Sequence, residues 1–301
     1  MKKKLLITGG SGFIGHNIID ELIKSRPDIE IYNLDKRAYD RKDIIHIPCE
    51  ALTFDYKEIG HTFDYIINLL ALANDRQCGD LAYAEKVNVD FTRKTAEFAL
   101  SQPHLKKFIH LSSIVLYSND NIPPVREDGK LFIYYTNYSF TKGLAEAHLE
   151  YFQQKKNLPL LIFRLSNIFG PYQIPIDSPF LIPSKISQGI LEHKIEVFNL
   201  TPKRDWIYSR DAAEAIVKAL DTLYIGILNL GTGKGVGTEE IISTIAQELN
   251  VPYTSLEKST TGPLNFYCDI SMVTKVLNWK PTTNLNEGIK KTIEYIKNYL
   301  S

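Results

Sequence analysis

The composition of the chain is that of an ordinary globular protein. Its 301 residues are 44% hydrophobic and 23% charged, which excludes a disordered or fibrous chain and allows one large core or two unequal lobes. The 35 basic residues cancel the 35 acidic ones, so no net field favours nucleic acid or an anionic membrane as a partner.

The cysteines and the N-terminal segment bear on the cellular compartment. Cys49, Cys78 and Cys268 lie far apart and form no C-x-x-C pattern, so we expect neither a disulfide framework nor a metal site. The apolar run that follows the first lysines ends at Thr8, which is too short for a signal peptide. No stretch approaches the roughly 18 apolar residues of a membrane span. These features predict a soluble, cytoplasmic protein.

Short apolar runs alternate with amphipathic segments through the first half of the chain, the pattern of repeated βα units. The predicted strands cover residues 4–8, 30–34, 65–70, 107–111 and 160–164. The predicted helices, whose apolar residues recur every three or four positions, cover residues 15–24, 82–100 and 138–154. The pattern predicts an α/β fold with a doubly wound parallel sheet over residues 1–170.

After Gly170 and Pro171 the alternation becomes irregular and prolines become frequent. We expect a smaller lobe over residues 171–204 and 223–301, with weak strands at 196–200 and 226–230 and an amphipathic helix at 286–300. A helix at 210–220 should bring residues 205–222 back to the first domain. The smaller lobe is therefore predicted to be interleaved with the larger one.

A glycine-rich segment, Thr-Gly-Gly-Ser-Gly-Phe-Ile-Gly at 8–15, follows the first strand directly and opens the first helix. Gly9 permits a tight turn, Gly12 lets backbone N–H groups reach a pyrophosphate, and Gly15 allows close packing of helix on strand. The helix dipole would favour the anion. The alternative is a glycine-rich turn without a ligand.

Acidic residues after the next strand bear on the choice of dinucleotide. Asp35 follows Gly15 by twenty residues, where a carboxylate can accept hydrogen bonds from both ribose hydroxyls of an adenosine and would repel a 2′-phosphate. This favours NAD. Lys36 and Arg37 could instead pair with that phosphate, so NADP stays open. Asp55 could hold the adenine amino group or be an ordinary surface residue.

Tyr138 and Lys142 stand four residues apart, on one face of a predicted helix. A neighbouring cation and an oxidised nicotinamide would both stabilise a phenolate, so Tyr138 could exchange a proton with a sugar hydroxyl while the cofactor exchanges a hydride. Ser113 ends an apolar strand and could bond the same oxygen. The spacing alone is common by chance, and the serine could simply end its strand.

With these residues placed, the chain resembles the extended short-chain dehydrogenase/reductases, the NAD-dependent nucleotide-sugar epimerases, dehydratases and reductases with a Rossmann domain. The likeness runs from Lys4 to about Pro281. It rests on these motifs in order: ITGGSGFIG at 7–15, Asp35, INLLALA at 67–73, VNVDFT at 87–92, HLSSIVLY at 110–117, YSFTK at 138–142, FRLSNIFGP at 163–171, RDWIYSRD at 204–211 and NWKP at 278–281.

The resemblance implies roles for particular residues. It makes Ser113, Tyr138 and Lys142 a catalytic triad, with Lys142 also holding the nicotinamide ribose. The cofactor residues that it implies are Gly9, Gly12, Phe13, Ile14, Gly15, Asp35, Asp55, Leu70, Ala71, Asn88, Tyr138 and Lys142. It also implies a homodimer, formed through the helices at 82–100 and 138–154, although their apolar faces could equally pack only on their own sheet.

The substrate residues implied by the resemblance are Ser113, Asn167, Phe198, Arg204 and Asp269. Asn167 and Arg204 would hold a substrate diphosphate, Phe198 would cover the nucleotide base, and Asp269 would take the nucleotide ribose hydroxyls. Read without the family, Arg204 could pair with Asp205 or Asp211, and Phe198 could be a core residue.

Departures from the family pattern narrow the reaction. Ile114 and Val115 stand where the 4,6-dehydratases carry an Asp-Glu pair, and aliphatic side chains cannot eliminate water. Tyr117-Ser118 replaces a more usual Tyr-Gly, and residues 264–266 lack a common arginine, so the nucleotide base stays open.

Three functions follow. The first is an NAD-dependent nucleotide-sugar epimerase acting at C4 through a 4-keto intermediate, and the second is an NAD(P)H-dependent 4-keto-sugar-nucleotide reductase. The third is a non-catalytic NAD(P)-sensing module, which the intact triad disfavours. Neither nucleic acid nor a membrane is expected as a partner.

Overall fold

The computed structural model describes residues 2–39, 41–259 and 264–301. The strands are, in chain order, β1 (Lys3–Thr8), β2 (Ile29–Asp35), β3 (Ile45–Pro48), β4 (Tyr65–Asn68), β5 (Lys107–Ser113), β6 (Leu160–Leu165), β7 (Asn167–Phe169), β8 (Ile195–Val197), β9 (Lys203–Arg204), β10 (Trp206–Tyr208), β11 (Gly226–Leu230), β12 (Val236–Gly237), β13 (Tyr253–Ser255) and β14 (Asn265–Phe266).

The α-helices are, in chain order, α1 (Phe13–Ser25), α2 (Leu81–Ala84), α3 (Phe91–Leu100), α4 (Asn137–Lys156), α5 (Leu181–Glu192), α6 (Ser209–Lys218), α7 (Thr238–Leu249), α8 (Ser271–Leu277) and α9 (Leu285–Leu300). A π-helical turn, Glu85–Asp90, joins α2 to α3. Short 3₁₀ turns cover Tyr56–Glu58, Ile114–Leu116, Ile133–Tyr135 and Ala219–Asp221. The chain divides into two compact units, the first formed by residues up to 118, 130–164 and 213–228, the second by 119–129, 165–212 and 229–301.

The large sheet has seven strands in the order β11-β6-β5-β4-β1-β2-β3. The pairs around β1 are parallel, with β2 on one side and β4 on the other. The strand order therefore reverses beside β1, and open α/β sheets bind ligands at the carboxyl ends of the strands next to such a reversal. This architecture confirms the predicted doubly wound α/β class.

The five strands predicted in the first half of the chain are present, with ends that differ by one or two residues. The structure places β11, which the sequence suggested for the smaller lobe, at an edge of the large sheet beside β6. Ile227 of β11 packs against the core of the first unit. A five-residue apolar strand carries no local signal of its partner, because sheet pairing depends on contacts distant in sequence.

The core of the first unit joins one face of the sheet to the helices that cover it. Leu6, Ile66 and Phe108 come from three adjacent strands and pack in one buried cluster with Phe91 of α3 and Leu149 of α4. Burial of these side chains removes apolar surface from water, which is the main favourable term in folding. It holds α4 against the sheet and so fixes where the residues on α4 lie.

The second unit has a separate core built mainly from helices. α5, α7 and α9 contribute isoleucines such as Ile186, Ile245 and Ile293 to one cluster. Three small sheets lie in this unit, including one of three strands in the order β12-β9-β14. Within the described ranges, no helix is both long and apolar enough to cross a membrane.

Candidate active site

The glycine-rich turn after β1 is built around close backbone contacts. Gly9 has a φ of +73°, and a Cβ there would lie 2.9 Å from the backbone of Leu70. A Cβ on Gly15 would lie 2.4 Å from the carbonyl oxygen of Gly10, far inside van der Waals contact. Glycine is therefore required at both positions, by the turn and by the packing of α1 on it.

The start of α1 suits a phosphate. Gly12 is the N-cap residue, and no side chain caps the helix or supplies an acidic group in its first turn. The nearest atoms to a Cβ on Gly12 would be the Gly9 carbonyl oxygen at 3.1 Å and Arg37 Nη2 at 3.6 Å. The missing side chain thus leaves room beside N–H groups at the positive end of a helix dipole. Phe13 and Ile14 lie in this first turn, so the residues present fit a dinucleotide pyrophosphate.

Asp35 ends β2 beside this turn and is buried. Its carboxylate oxygens accept hydrogen bonds from the backbone N–H groups of Ser11 at 3.1 Å and Arg37 at 2.9 Å. Each oxygen retains a second lone pair, which a ribose hydroxyl can use. The Arg37 Nε lies 3.7 Å from the same carboxylate. Arg37 is therefore paired with Asp35, an arrangement that fits an adenosine with a free 2′-hydroxyl.

Two other predicted cofactor segments serve local structure as well. The Asp55 carboxylate accepts the N–H of Lys57 at 3.0 Å and caps a 3₁₀ turn, and its side chain is exposed. Leu70 and Ala71 follow β4, and the Leu70 N–H donates to Thr8 Oγ1 at 3.2 Å. The backbone of Leu70 also packs directly against Gly9.

Asn88, in the π-helical turn, is almost fully buried. Its Oδ1 accepts the N–H of Leu72 at 2.7 Å, and its Nδ2 donates to Thr141 Oγ1 at 3.0 Å. Asn88 therefore ties the segment after β4 to α4, so it positions that segment relative to the residues on α4.

The local sequence fixes the first turn of α4. Thr136 and Ser139 form a reciprocal capping box, in which each side chain bonds the backbone N–H of the other. Such a cap satisfies helix N–H groups that would otherwise lack partners. Tyr138 lies inside this capped turn, and Asn137 Nδ2 also donates to the carbonyl oxygen of Cys78 at 2.9 Å. The backbone that carries Tyr138 is therefore anchored at both sides.

The Ser113 side chain lies close enough to Tyr138 to act on the pKa of its phenol. Ser113 Oγ also accepts the N–H of Val115 at 3.2 Å. Burial raises the pKa of Tyr138 to about 12, the Ser113 side chain lowers it, and Cys78 and Asp75 raise it further. Tyr138 is therefore a protonated phenol at neutral pH in the folded chain.

Lys142 lies one turn after Tyr138 on α4, and its ammonium donates to the carbonyl oxygen of Leu111 on β5 at 2.5 Å. The side chain is 4% exposed. Burial lowers the pKa of Lys142 to about 8, while Glu146 and Cys78 raise it. The lysine is therefore still mostly charged at pH 7.

A buried ion pair next to this lysine was not predicted from the sequence. Glu146 follows Lys142 by four residues on α4, and Arg164 reaches it from β6 with an Nη2 to Oε2 distance of 2.7 Å. The i+4 spacing from Lys142 was a usable signal. The burial of Glu146 and its partner on another strand could not be read from the local sequence.

In the second unit, Asn167 bonds the backbone of Asp205, the residue that follows Arg204. Asn167 Nδ2 donates to the carbonyl oxygen of Asp205 at 3.0 Å. Arg204 lies on β9 between Val236 of β12 and Phe266 of β14, and its Nη1 donates to the carbonyl oxygen of Lys203 at 3.0 Å.

Asp205 and Asp211, the two aspartates considered as partners for Arg204, bond other groups instead. The Asp205 carboxylate is buried and accepts the N–H groups of Thr232 at 2.7 Å, Gly233 at 3.1 Å and Cys268 at 3.3 Å. Asp211 accepts the N–H of Thr283 at 2.9 Å. Burial lowers the pKa of Arg204. In the described parts of the chain its guanidinium forms no ion pair with a carboxylate. A partly buried guanidinium of this kind is suited to bind an anion.

The other two predicted substrate residues also lie in the second unit. Phe198 is 60% exposed, so it is not a core residue, and the Lys258 ammonium lies 5.5 Å from its ring centre. The Asp269 carboxylate accepts the N–H of Ser271 at 2.7 Å, which lowers the pKa of Asp269. Asp269 also lines a cavity of about 580 Å³ within this unit.

The chain is similar to known proteins along almost its whole length. Over 306 residues the chain is 28% identical to a putative UDP-glucose 4-epimerase of Methanocaldococcus jannaschii, covering 98% of each chain. It is 26% identical to a dTDP-4-dehydro-6-deoxyglucose reductase of Escherichia coli, again covering 98% of each. The crystal structure of UDP-glucuronic acid 4-epimerase from Bacillus cereus, in complex with UDP-glucuronic acid and NAD, superposes with a TM-score of 0.88 at 25% identity, covering 98% of this chain and 99% of that one.

The match to a family extends over most of the chain. Residues 5–231 match the sequence profile of the NAD dependent epimerase/dehydratase family. This range contains the glycine-rich turn, Asp35, Ser113, Tyr138 and Lys142, which the structure arranges as described above. The chain therefore belongs to the NAD dependent epimerase/dehydratase family.

Proposed function

We propose that this protein is an NAD-dependent nucleotide-sugar epimerase that acts at C4 through a 4-keto intermediate. The observation that carries the proposal is the placement of Ser113 close to the Tyr138 phenol, with Lys142 one turn away on α4. The adjacent 3₁₀ turn, Ile114–Leu116, offers only aliphatic side chains. Dehydration needs an additional acid and base, which Ile114 and Val115 cannot provide. Relatives named as UDP-sugar 4-epimerases support the same reaction.

Residues of this chain accept and return the proton that is transferred in the proposed reaction. The phenolate form of Tyr138 accepts the proton of the sugar 4-hydroxyl as the C4–H bond breaks, and Ser113 bonds the same oxygen. Lys142 contributes a positive charge that stabilises the tyrosinate. After the 4-keto sugar turns over, Tyr138 returns the proton to the C4 oxygen. NAD, when bound, would supply both the hydride acceptor and the hydride donor that epimerisation needs.

The cofactor site is proposed on the first unit. The glycine-rich turn and the uncapped start of α1 hold the pyrophosphate, Asp35 accepts the adenosine ribose hydroxyls, and Lys142 holds the nicotinamide ribose. Asp55 is proposed near the adenine. Leu70 and Ala71 line the segment after β4 that Asn88 holds in place.

The nucleotide part of the substrate is proposed to bind residues of the second unit. Arg204 supports this assignment most strongly, because a partly buried guanidinium needs an anion, and Asn167 bonds the backbone of the next residue, Asp205. Phe198 is proposed to stack on the base, which suits its exposed ring, and Asp269 to take the nucleotide ribose hydroxyls.

A net reduction is the second candidate. The Escherichia coli relative is named as a dTDP-4-dehydro-6-deoxyglucose reductase, and such a reaction uses the same three catalytic groups. The two reactions differ in their use of cofactor, because an epimerase regenerates NAD in each cycle and a reductase consumes NADH or NADPH at every turnover.

One experiment separates the candidates. Mass spectrometry of the denatured protein detects retained NAD, and purified protein is then incubated with UDP-glucose, UDP-glucuronic acid or UDP-N-acetylglucosamine without added cofactor. Interconversion with the C4 epimer supports the epimerase, whereas oxidation of NADH or NADPH with a 4-keto-6-deoxy sugar nucleotide would establish the reductase. Tyr138→Phe should abolish turnover and spare NAD binding. Unchanged turnover would refute the role of Tyr138, and NAD binding without any turnover would leave the sensing module.

A cytoplasmic homodimer completes the proposal. The three cysteines are free and buried, as expected in a reducing compartment. Leu81 and Tyr83 of α2 and Tyr151 of α4 expose apolar surface on the helices proposed as the dimer interface. Light scattering of the purified protein measures the mass, and Tyr151→Glu should shift a dimer towards the monomer.

A further inference from the structure

A buried ion pair adjoins the proposed catalytic lysine. Glu146 and Arg164 are each about 3% exposed. Arg164 Nε lies 3.2 Å from both oxygens of Glu146, and Nη2 lies 2.7 Å from Oε2. The guanidinium also lies over the ring of Tyr117, 5.0 Å from its centre. The carboxylate is thus fixed in position on the helical face that carries Lys142.

Stability does not explain this pair well. Moving two charges out of water costs free energy, and the attraction within a buried ion pair often only offsets that cost. Replacing such a pair with apolar residues of similar volume frequently leaves the stability of the protein unchanged. What such a pair does supply is a fixed charge in a region of low dielectric, where its effect on a neighbouring ion is strong.

The net charge of the cluster formed by Lys142, Glu146, Arg164 and Tyr138 is zero in one particular protonation state. Lys142 and Arg164 are cations and Glu146 is an anion, so the three groups carry one excess positive charge beside Tyr138. Loss of the phenol proton would bring the total to zero. Without the carboxylate of Glu146, the same pocket would hold two cations, and Lys142 would be the one able to lose its proton, since arginine does not.

We propose that Glu146 is a positioning residue of the active site, and that its carboxylate, held by Arg164, keeps the Lys142 ammonium protonated under the conditions of turnover. The catalytic meaning of this role rests on the proposed function, in which the charge of Lys142 stabilises the Tyr138 phenolate. The effect of Glu146 on Lys142 is a property of the fold and can be measured without turnover.

The other groups around Lys142 do not supply this charge. His110 on β5 is fully buried, and burial together with Lys142 lowers its pKa well below the usual value, so it is neutral. Cys78, before α2, is a buried thiol whose pKa is raised by burial, so it is also neutral at pH 7. Glu150, one turn beyond Glu146 on α4, is exposed to solvent. Glu146 is thus the buried carboxylate nearest to Lys142 along α4.

The direct test is the titration of Lys142 by NMR. Full-length protein saturated with NAD is labelled with ¹³C at lysine Cε, and the Lys142 signal is identified by its loss in Lys142→Arg. In Glu146→Gln the titration midpoint of Lys142 should fall by about 1 pH unit, since removal of a nearby opposite charge destabilises the ammonium. The alkaline limb of the turnover profile should move to lower pH by the same amount.

Two further variants separate charge from structure. Arg164→Met leaves the carboxylate unneutralised, so the Lys142 midpoint should stay or rise, the opposite of the effect in Glu146→Gln. The double variant Glu146→Gln/Arg164→Met removes both charges and should again lower the midpoint. A merely structural pair would shift Lys142 in the same direction in both single variants. Glu150→Gln, the same change one turn further along α4, should leave the midpoint unchanged.

An unchanged Lys142 midpoint in Glu146→Gln would overturn the inference, and so would equal downward shifts in the two single variants. Failure of the proposed function would look different. If Tyr138→Phe retained turnover while Lys142 titrated as expected in the charge variants, the catalytic scheme would fall and the effect of Glu146 on Lys142 would stand.

Discussion

Replacing Gly15 with alanine should weaken both the fold and the cofactor site. The new Cβ would lie 2.4 Å from the Gly10 carbonyl oxygen and 2.5 Å from its Cα, and contacts with real Cβ atoms below 3.0 Å are essentially never seen. Both atoms are backbone in the glycine-rich turn, so no side chain can rotate away. The start of α1 must therefore move relative to the turn.

The magnitude follows from two opposing terms. Overpacking of this kind costs about 1–3 kcal/mol, and the higher helix propensity of alanine returns about 1 kcal/mol. Because the clashing atoms are backbone and cannot rotate away, the upper part of the overpacking range applies, and we expect the free energy of unfolding to fall by about 1–2 kcal/mol. Displacement of one N–H from a phosphate oxygen would cost about 1.5–3 kcal/mol of binding, so the affinity for NAD should fall at least about tenfold.

The assay combines urea unfolding with calorimetric titration of NAD. Gly60→Ala is the matched control, because Gly60 is exposed and a Cβ there would meet nothing within 4 Å. That variant should keep the stability and NAD affinity of the native protein. Native stability and affinity in Gly15→Ala would refute the argument that the turn requires glycine at this position.

Two further substitutions test the binding assignments. Asp35→Asn should lower the affinity for NAD about tenfold, since an amide accepts hydrogen bonds from ribose hydroxyls less strongly than a carboxylate does. In competition titrations the variant should also show a smaller preference for NAD over NADP. An unchanged preference for NAD would contradict the role of Asp35. Arg204→Met should lower the affinity for UDP about tenfold or more by calorimetry, while Arg210→Met, a charge loss at an exposed position of the same unit, should not. Equal losses in both variants would point to net charge and not to a diphosphate site.

The parts of the site that the sequence predicted are those in which function and local structure share a signal. The glycine-rich turn follows a strand and opens a helix, and each requirement is visible in a few consecutive residues. Tyr138 and Lys142 lie on one helix, so their spacing gave their relation directly. Ser113 was placed by the parallel sheet, because catalytic groups collect where such strands end.

The parts that were not predicted depend on contacts between distant residues. Arg164 is one residue among many in a strand, and only the fold brings it to Glu146. The π-helical turn at Glu85–Asp90 was read as part of one continuous helix, since hydrophobic periodicity does not distinguish a local change in helical register. In the same way, nothing near β11 reveals that it pairs beside β6.

The electrostatics of the first unit suggest how the proposed reaction is controlled. Burial raises the pKa of Tyr138 to about 12, so the phenol is protonated at neutral pH in the folded chain and can give a proton to a keto oxygen. Accepting a proton from a sugar hydroxyl requires more positive charge nearby than the phenol has in this state. Lys142, whose charge Glu146 supports, is already part of this state, so the additional charge has to come from an oxidised nicotinamide. Tyr138 should therefore act as a base only when the cofactor is oxidised, so that removal of the proton is coupled to the state in which a hydride can be accepted.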